Sequence, residues 1–109
     1  MIDYRAGDQM TLNGIQFDDR ALAALCRQHG IARMSLFGSV LGSAFRDDSD
    51  VDFLVEFEPG RRISLLGLGG IAIELRQLIG REVDLRTPQD LSQYFRDEVV
   101  RSARLVYAA

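Results

Sequence analysis

Asp50 and Asp52 open an apolar run, Val51-Asp52-Phe53-Leu54-Val55, and a third carboxylate, Asp84, sits inside another, "REVDLRT" at residues 81–87. On a strand every second side chain shares a face, so Asp50 and Asp52 project together, their α-carbons roughly 6.5 Å apart. Val51, Phe53 and Val55 then point the other way, into a core. Carboxylates are seldom buried without a partner, and two held side by side repel until a proton or a cation compensates them. For oxygen donors the fitting cation is Mg²⁺ or Mn²⁺. If the strand of Asp84 pairs beside that of Asp52, three carboxylates converge, as two-metal phosphoryl or nucleotidyl transfer requires. One metal would grip the phosphates and the other would activate the attacking oxygen. Upstream, Gly38-Ser39 follows the apolar run Arg33-Met34-Ser35-Leu36-Phe37. Glycine lets the backbone approach a phosphate closely, and serine offers it a hydroxyl and an N–H.

Each feature alone has an ordinary explanation. An Asp-x-Asp pair is most often a solvated strand end, Asp84 alone an exposed one, and Gly-Ser alone a turn. Their combination in this order is what points to chemistry. His29 reads as a cation suited to a helix C-terminus, Cys26 as a small core residue, and Arg61-Arg62 as a solvated loop.

The elements that must position these residues follow from periodicity and punctuation. Asp18 or Asp19 caps a helix carrying Leu22, Leu25, Cys26 and His29, which Gly30 stops. Arg33–Phe37 reads as a buried strand, residues 38–49 as a loop or turn-rich helix, and Val51–Phe57 as a second strand, ended by Glu58-Pro59-Gly60. Leu65, Leu68, Ala72, Leu75 and Ile79 mark a helical face within Ile63–Ile79, with Gly80 past its end. Gly67, Gly69 and Gly70 fall inside it, so its start should be frayed, late or closely packed. Glu82–Arg86 is a third strand. Thr87-Pro88 reads as the cap and first turn of a last amphipathic helix running through Leu91, Phe95, Val99, Ala103 and Val106. Its apolar face is assigned mostly to the core, and Tyr94, Phe95, Val106 and Tyr107 are available to extend an interface. The expected order is α-β-β-α-β-α, an α/β (α+β) domain over residues 15–109 preceded by an N-terminal arm, residues 1–14, that ends in the turn signal Asn13-Gly14.

The 109 residues suit one domain, and 47% hydrophobic with 27% charged residues suits a globular one. A net charge of -3 argues against wholesale attraction to a nucleic-acid backbone. Cys26, the single cysteine, excludes an internal disulfide. "MIDYRAGDQMTLNG" lacks an apolar core of signal-peptide length, and Ile63–Ile73 is too short and glycine-rich to span a bilayer. The expectation is a soluble cytoplasmic protein, without direct contact to nucleic acid or membrane.

Gly38-Ser39, ten intervening residues, then Asp50-Val51-Asp52 resembles the G-S-x(10)-D-x-D signature of the DNA polymerase β-like nucleotidyltransferase superfamily. The small chain is similar to the minimal nucleotidyltransferases (MNT proteins), which commonly act as antitoxins to HEPN-domain RNase toxins. The likeness runs from about Ala21 to the C-terminus, through "GREVDLRTPQDL" and "RSARLVYA". It implies a small mixed sheet flanked by helices, with Gly38 and Ser39 at the nucleotide triphosphate. It implies Asp50 and Asp52 on two Mg²⁺ ions, and Asp84 as the third metal-binding carboxylate, activating the acceptor hydroxyl. The implied reaction is transfer of AMP from ATP to a tyrosine of a cognate HEPN toxin. The chain departs from the family where an arginine often stands three residues after the serine: Gly42 and Ser43 are there instead. Either Arg46 takes over nucleotide binding or that binding is weaker. Asp47 replaces a common proline and adds negative charge. Two rival functions remain: an antitoxin acting by contact alone around a vestigial site, and a small-molecule nucleotidyltransferase of the aminoglycoside-modifying type. The latter is disfavoured because such enzymes usually carry an extra helical domain.

Overall fold

The computed structural model describes residues 9–109, Gln9 by its backbone only. The expected arm therefore falls partly outside the described residues, at 1–8. The remainder of it enters a hairpin: β1 (Gln9–Leu12) pairs antiparallel with β2 (Ile15–Asp18). Asn13 and Gly14 take φ of 49° and 79° at its tip, the paired left-handed conformation that closes two-residue hairpins and that Asn and Gly tolerate best. Ile15 and Phe17 point inward and their neighbours outward, which makes β2 a strand although its four residues were too few to stand out by periodicity.

Helix α1 (Asp19–His29) is capped by the Asp18 carboxylate, which accepts from the N–H groups of Arg20 and Ala21, and ends on left-handed Gly30. The strands β3 (Ile31–Phe37) and β4 (Val51–Phe57) pair antiparallel. Helix α2 (Leu65–Ile79) starts at an N-cap, Ser64, and stops at Gly80. The late start fits the glycine-rich opening: a Cβ on Gly67 would lie 2.8 Å from the Ile63 side chain. Strand β5 (Val83–Arg86) runs parallel to β4.

The C-terminal region corrects the expected last helix. Thr87 and Pro88 open only a 3-10 turn, Pro88–Asp90; the N–H and hydroxyl of Thr87 both donate to the Asp90 carboxylate at 3.1 Å. Leu91 then turns extended and buries its side chain. The Arg96 guanidinium donates to the carbonyls of Pro88 (2.6 Å) and Leu91 (2.9 Å), supplying partners that a continuous helix would have provided. Helix α3 covers only Arg96–Ser102, and β6 (Arg104–Ala108) follows as a strand antiparallel to β3. The helical spacing of Leu91 to Val106 was coincidental. Val106 and Tyr107 have strand-favouring side chains, and the free edge of β3 supplied the hydrogen-bond partners.

The result is a four-stranded mixed sheet in the order β5-β4-β3-β6 beside the two-stranded hairpin, an α+β fold of small sheets flanked by helices. Val51, Phe53 and Val55 are fully buried and meet Leu22, Leu25 and Cys26 of α1, Ile71 and Leu75 of α2, and Phe17 of β2 in one core. Phe17 and Phe53 pack edge to face with centroids 6.3 Å apart. The Cys26 thiol is core, as expected, and burial pushes its pKa up to about 12. His29 adds a tie between the helices, its Nε2 lying 2.8 Å from Glu74 Oε2. No helix among the described residues is long and apolar enough to cross a membrane.

Candidate functional site

The site is built where three strands present one level of the sheet. In the β3–β4 ladder Phe37 stands opposite Asp52, and in the β4–β5 ladder Asp52 stands opposite Asp84. Opposed residues on neighbouring strands share a face, so the parallel pairing aligns Asp52 and Asp84, the condition on which the sequence argument depended. The main-chain N–H of Val51 donates to the Glu82 carbonyl at 2.9 Å and sets that register where the strands begin.

Asp52 is half-buried, and its pKa is pushed up to about 6. Burial is the largest cause, the charge of Asp84 the next, then that of Asp50, while Arg86 pulls in the opposite direction. A carboxylate in this state has more negative charge around it than its surroundings compensate. Asp50 lies one residue ahead of β4 and is exposed, so the strand alternation that would align it with Asp52 begins only at Val51. Among the described residues, no three Asp, Glu, His or Cys side chains are gathered in a metal-holding arrangement. The tight pair is Asp52–Asp84, with Asp50 as a neighbouring charge. Its all-oxygen donors and unbalanced charge fit a hard divalent cation such as Mg²⁺.

Gly38 approaches this pair from the end of β3. Its φ is 78°, and a Cβ built there would overlap the Asp52 carboxylate. Only glycine permits both the left-handed backbone and the close approach. It starts a 3-10 turn, Gly38–Leu41, in which Ser39 is half-buried and Val40 fully buried. The Gly42 N–H closes the turn on the Ser39 carbonyl at 3.0 Å. Arg46 is exposed on the loop leading to Asp50 and engages it through its main chain, its N–H donating to Ser49 Oγ at 2.9 Å. Arg61 lies elsewhere: its guanidinium covers Gly30, at the opposite end of β3.

Three residues of the site escaped the sequence reading. Arg86 holds Asp84 with Nε 3.0 Å from Oδ1, and that bond is the main reason its own pKa is raised. Its signal was present: Arg86 lies two residues after Asp84, on the same strand face. Arg81 donates through Nη2 to the carbonyls of Arg46 (2.9 Å), Asp47 (3.0 Å) and Ser49 (2.8 Å), and its guanidinium lies 4.6 Å from the centre of the Phe45 ring. The loop that delivers Asp50 is thus gathered around one cation. Asn13 reaches the other loop and donates through Nδ2 to the carbonyls of Val40 (2.8 Å) and Gly42 (3.1 Å).

A glycine turn, an aspartate pair opposed across parallel strands and an oxygen-rich, charge-unbalanced face thus meet at one end of the sheet. Comparison with known proteins identifies the class of domain. Residues 19–106 match the family model of the nucleotidyltransferase domain. A Methanocaldococcus jannaschii protein named as a candidate protein adenylyltransferase is 34% identical over 94 residues, covering 86% of this chain and 96% of that one. The structure of a candidate minimal nucleotidyltransferase superposes with a TM-score of 0.64 at 41% identity, covering 78% of this chain and 85% of that one. Toxin–antitoxin complexes share the fold at lower identity. One with AMP-PNP has a TM-score of 0.68 at 19% identity, over 85% of this chain and 75% of the other. Another holds a tri-AMPylated Shewanella oneidensis HEPN toxin with its MNT antitoxin, at 0.60 and 19%, over 84% and 70%. With its Gly-Ser turn and paired aspartates inside the matched span, the chain is an enzyme-fold minimal member of the nucleotidyltransferase domain family.

Proposed function

We propose that the protein transfers AMP from ATP to a hydroxyl of a partner protein, a tyrosine of a HEPN-type toxin, and thereby acts as the antitoxin of a pair in the cytoplasm. The observation that carries this reading is the Asp52–Asp84 pair in parallel register, with Gly38 backbone against it. The name of the M. jannaschii relative and the AMPylated toxin in a structural neighbour support it.

In this reading Gly38 and Ser39 hold the triphosphate through the backbone and the serine hydroxyl. Asp50 and Asp52 hold Mg²⁺, which when bound offsets phosphate charge and lowers the barrier to displacement at phosphorus. Asp84 takes the proton of the acceptor hydroxyl. That oxygen forms a bond to the α-phosphorus as the bond to the bridging oxygen breaks, and pyrophosphate leaves with the electron pair. Arg86 holds the Asp84 carboxylate in place through Nε until the acceptor arrives. A groove lined by Leu65, Leu68, Ala72 and Leu85 opens beside Arg86, and Leu65 and Leu66 are 87% and 88% exposed. An apolar surface next to the carboxylates suits an acceptor that brings its own protein surface.

The Arg86–Asp84 pair also favours a second reading, in which Asp84 is permanently occupied and the protein neutralises its toxin by contact alone. One experiment separates the two: the intact mass of the HEPN partner after incubation with this protein, Mg²⁺ and each nucleoside triphosphate in turn. A gain of one or more AMP units with ATP, absent with Asp50→Ala/Asp52→Ala, supports transfer. An unchanged mass in a stable, non-toxic complex supports contact.

A further inference from the structure

We infer that the tip of the N-terminal hairpin positions the triphosphate-binding turn, with Asn13 as the positioning residue. The family match begins at residue 19, so β1, β2 and Asn13 precede it. The hairpin is nevertheless fixed to the body, because Ile15 and Phe17 belong to the core. From that anchor Asn13 spends both amide hydrogens on the Gly-Ser turn, at Val40 O and Gly42 O. A trans peptide points its C=O and N–H in opposite directions. Holding these two carbonyls therefore fixes the Val40–Leu41 and Gly42–Ser43 peptide planes and turns the N–H groups of Leu41 and Ser43 away from the hairpin. A turn that binds a triphosphate through its backbone gains most from planes fixed in advance, since ordering them on binding would cost affinity. The turn is a 3-10 segment of only four residues, closed by the Gly42 N–H on the Ser39 carbonyl, and Asn13 adds two bonds from outside it.

This inference rests on nucleotide binding by Gly38 and Ser39, and its test reads the turn and the nucleotide separately. Asn13→Gly keeps a residue at home at φ 49° but removes both bonds. Asn13→Asp also tolerates that conformation but sets a carboxylate against two carbonyl oxygens. In each folded variant, amide hydrogen exchange is measured over residues 39–43 and over β4, with the Kd for AMP-PNP and Mg²⁺ and the KM and kcat of AMP transfer. Exchange should accelerate in residues 39–43 and not in β4. The Kd and KM should rise about tenfold in Asn13→Gly, the worth of one or two hydrogen bonds, and further in Asn13→Asp, with kcat within about twofold. Faster exchange with unchanged Kd would overturn the inference while leaving the enzyme reading intact, as would a parallel loss of kcat and affinity or equal behaviour of the two variants. Failure of the wild-type protein itself to bind AMP-PNP would remove the enzyme reading and this inference with it.

Discussion

Two loops enclose the aspartate pair, and they are held by opposite means. The Gly38–Gly42 turn is fixed from the N-terminal side by a neutral amide making two hydrogen bonds. The Phe45–Asp50 loop is fixed from the far end of α2 by a guanidinium making three, with stacking on Phe45 besides. Both take side-chain bonds from outside themselves, so both import part of their rigidity. The cation's bonds are the stronger kind and its stacking adds to them. In the proposed reaction the stiffer support therefore goes to the loop that delivers a carboxylate, where small errors matter most to the chemistry. The lighter one goes to the turn that, in the same proposal, receives the nucleotide.

The largest break in this arrangement should come from Gly38→Ala. The new Cβ would meet the Asp52 carboxylate and strain a left-handed backbone at once, so AMP transfer should fall about a thousandfold, as misplacement of both partners implies. A variant that transfers AMP at the wild-type rate would show that Gly38 does not need its present approach. Arg81→Ala should come next, at about a hundredfold in kcat for a displaced Asp50, with a smaller change in KM for ATP. Added guanidinium ion should restore part of the rate. A rise in KM with unchanged kcat would mean that Arg81 serves the nucleotide and not the carboxylates, and the contrast between the loops would collapse.

Arg81 and Asn13 also show where reading the sequence stops. Both act on main-chain carbonyls lying 27 to 35 residues away, and a carbonyl has no residue identity to read. By contrast α1 was legible end to end because its cap, Asp18, and its stop, Gly30, are local chemistry. Strand β4 was legible because Val51–Phe57 is a short apolar run, broken only by Asp52 and Glu56 and ended by Glu58-Pro59-Gly60. The Asp52–Asp84 alignment could be stated only as a condition, since parallel register is set by distant pairing. At the C-terminus tertiary pairing overrode the local pattern: Arg104–Ala108 fit a helical period, but the free edge of β3 made them a strand.

Arg86→Gln sharpens the comparison from the third side. It removes the charge that holds Asp84 while keeping a side chain of similar reach, so transfer should fall about tenfold, the worth of a charge-assisted bond. The rate should also become more sensitive to acid, because Arg86 is the group pulling the Asp52 pKa down. An increase in rate would instead show that the pair restrains Asp84, as the contact-only reading requires.

The smallest effect is one of stability, and its sign follows from Asp52. In the metal-free protein its pKa is raised from 3.8 to about 6. The folded state thus binds this proton more tightly than the unfolded one, and the contribution is fully present below about pH 4. It is lost as pH rises through 6, leaving an ionised, half-buried carboxylate beside Asp84 at neutral pH. Asp52→Asn removes that penalty. In a chelating buffer it should melt with the wild type at pH 4 and several degrees above it at pH 7, a gain of about 1 kcal/mol after allowing for solvent screening. Mg²⁺ with ATP should then raise the wild-type Tm and leave the variant unmoved, because the charge that a cation would offset has gone. Equal melting of the two proteins across pH 4 to 7 would mean that Asp52 is not the strained member of the pair. The uncompensated charge would then have to be sought at Asp84, on the strand that Arg86 already guards.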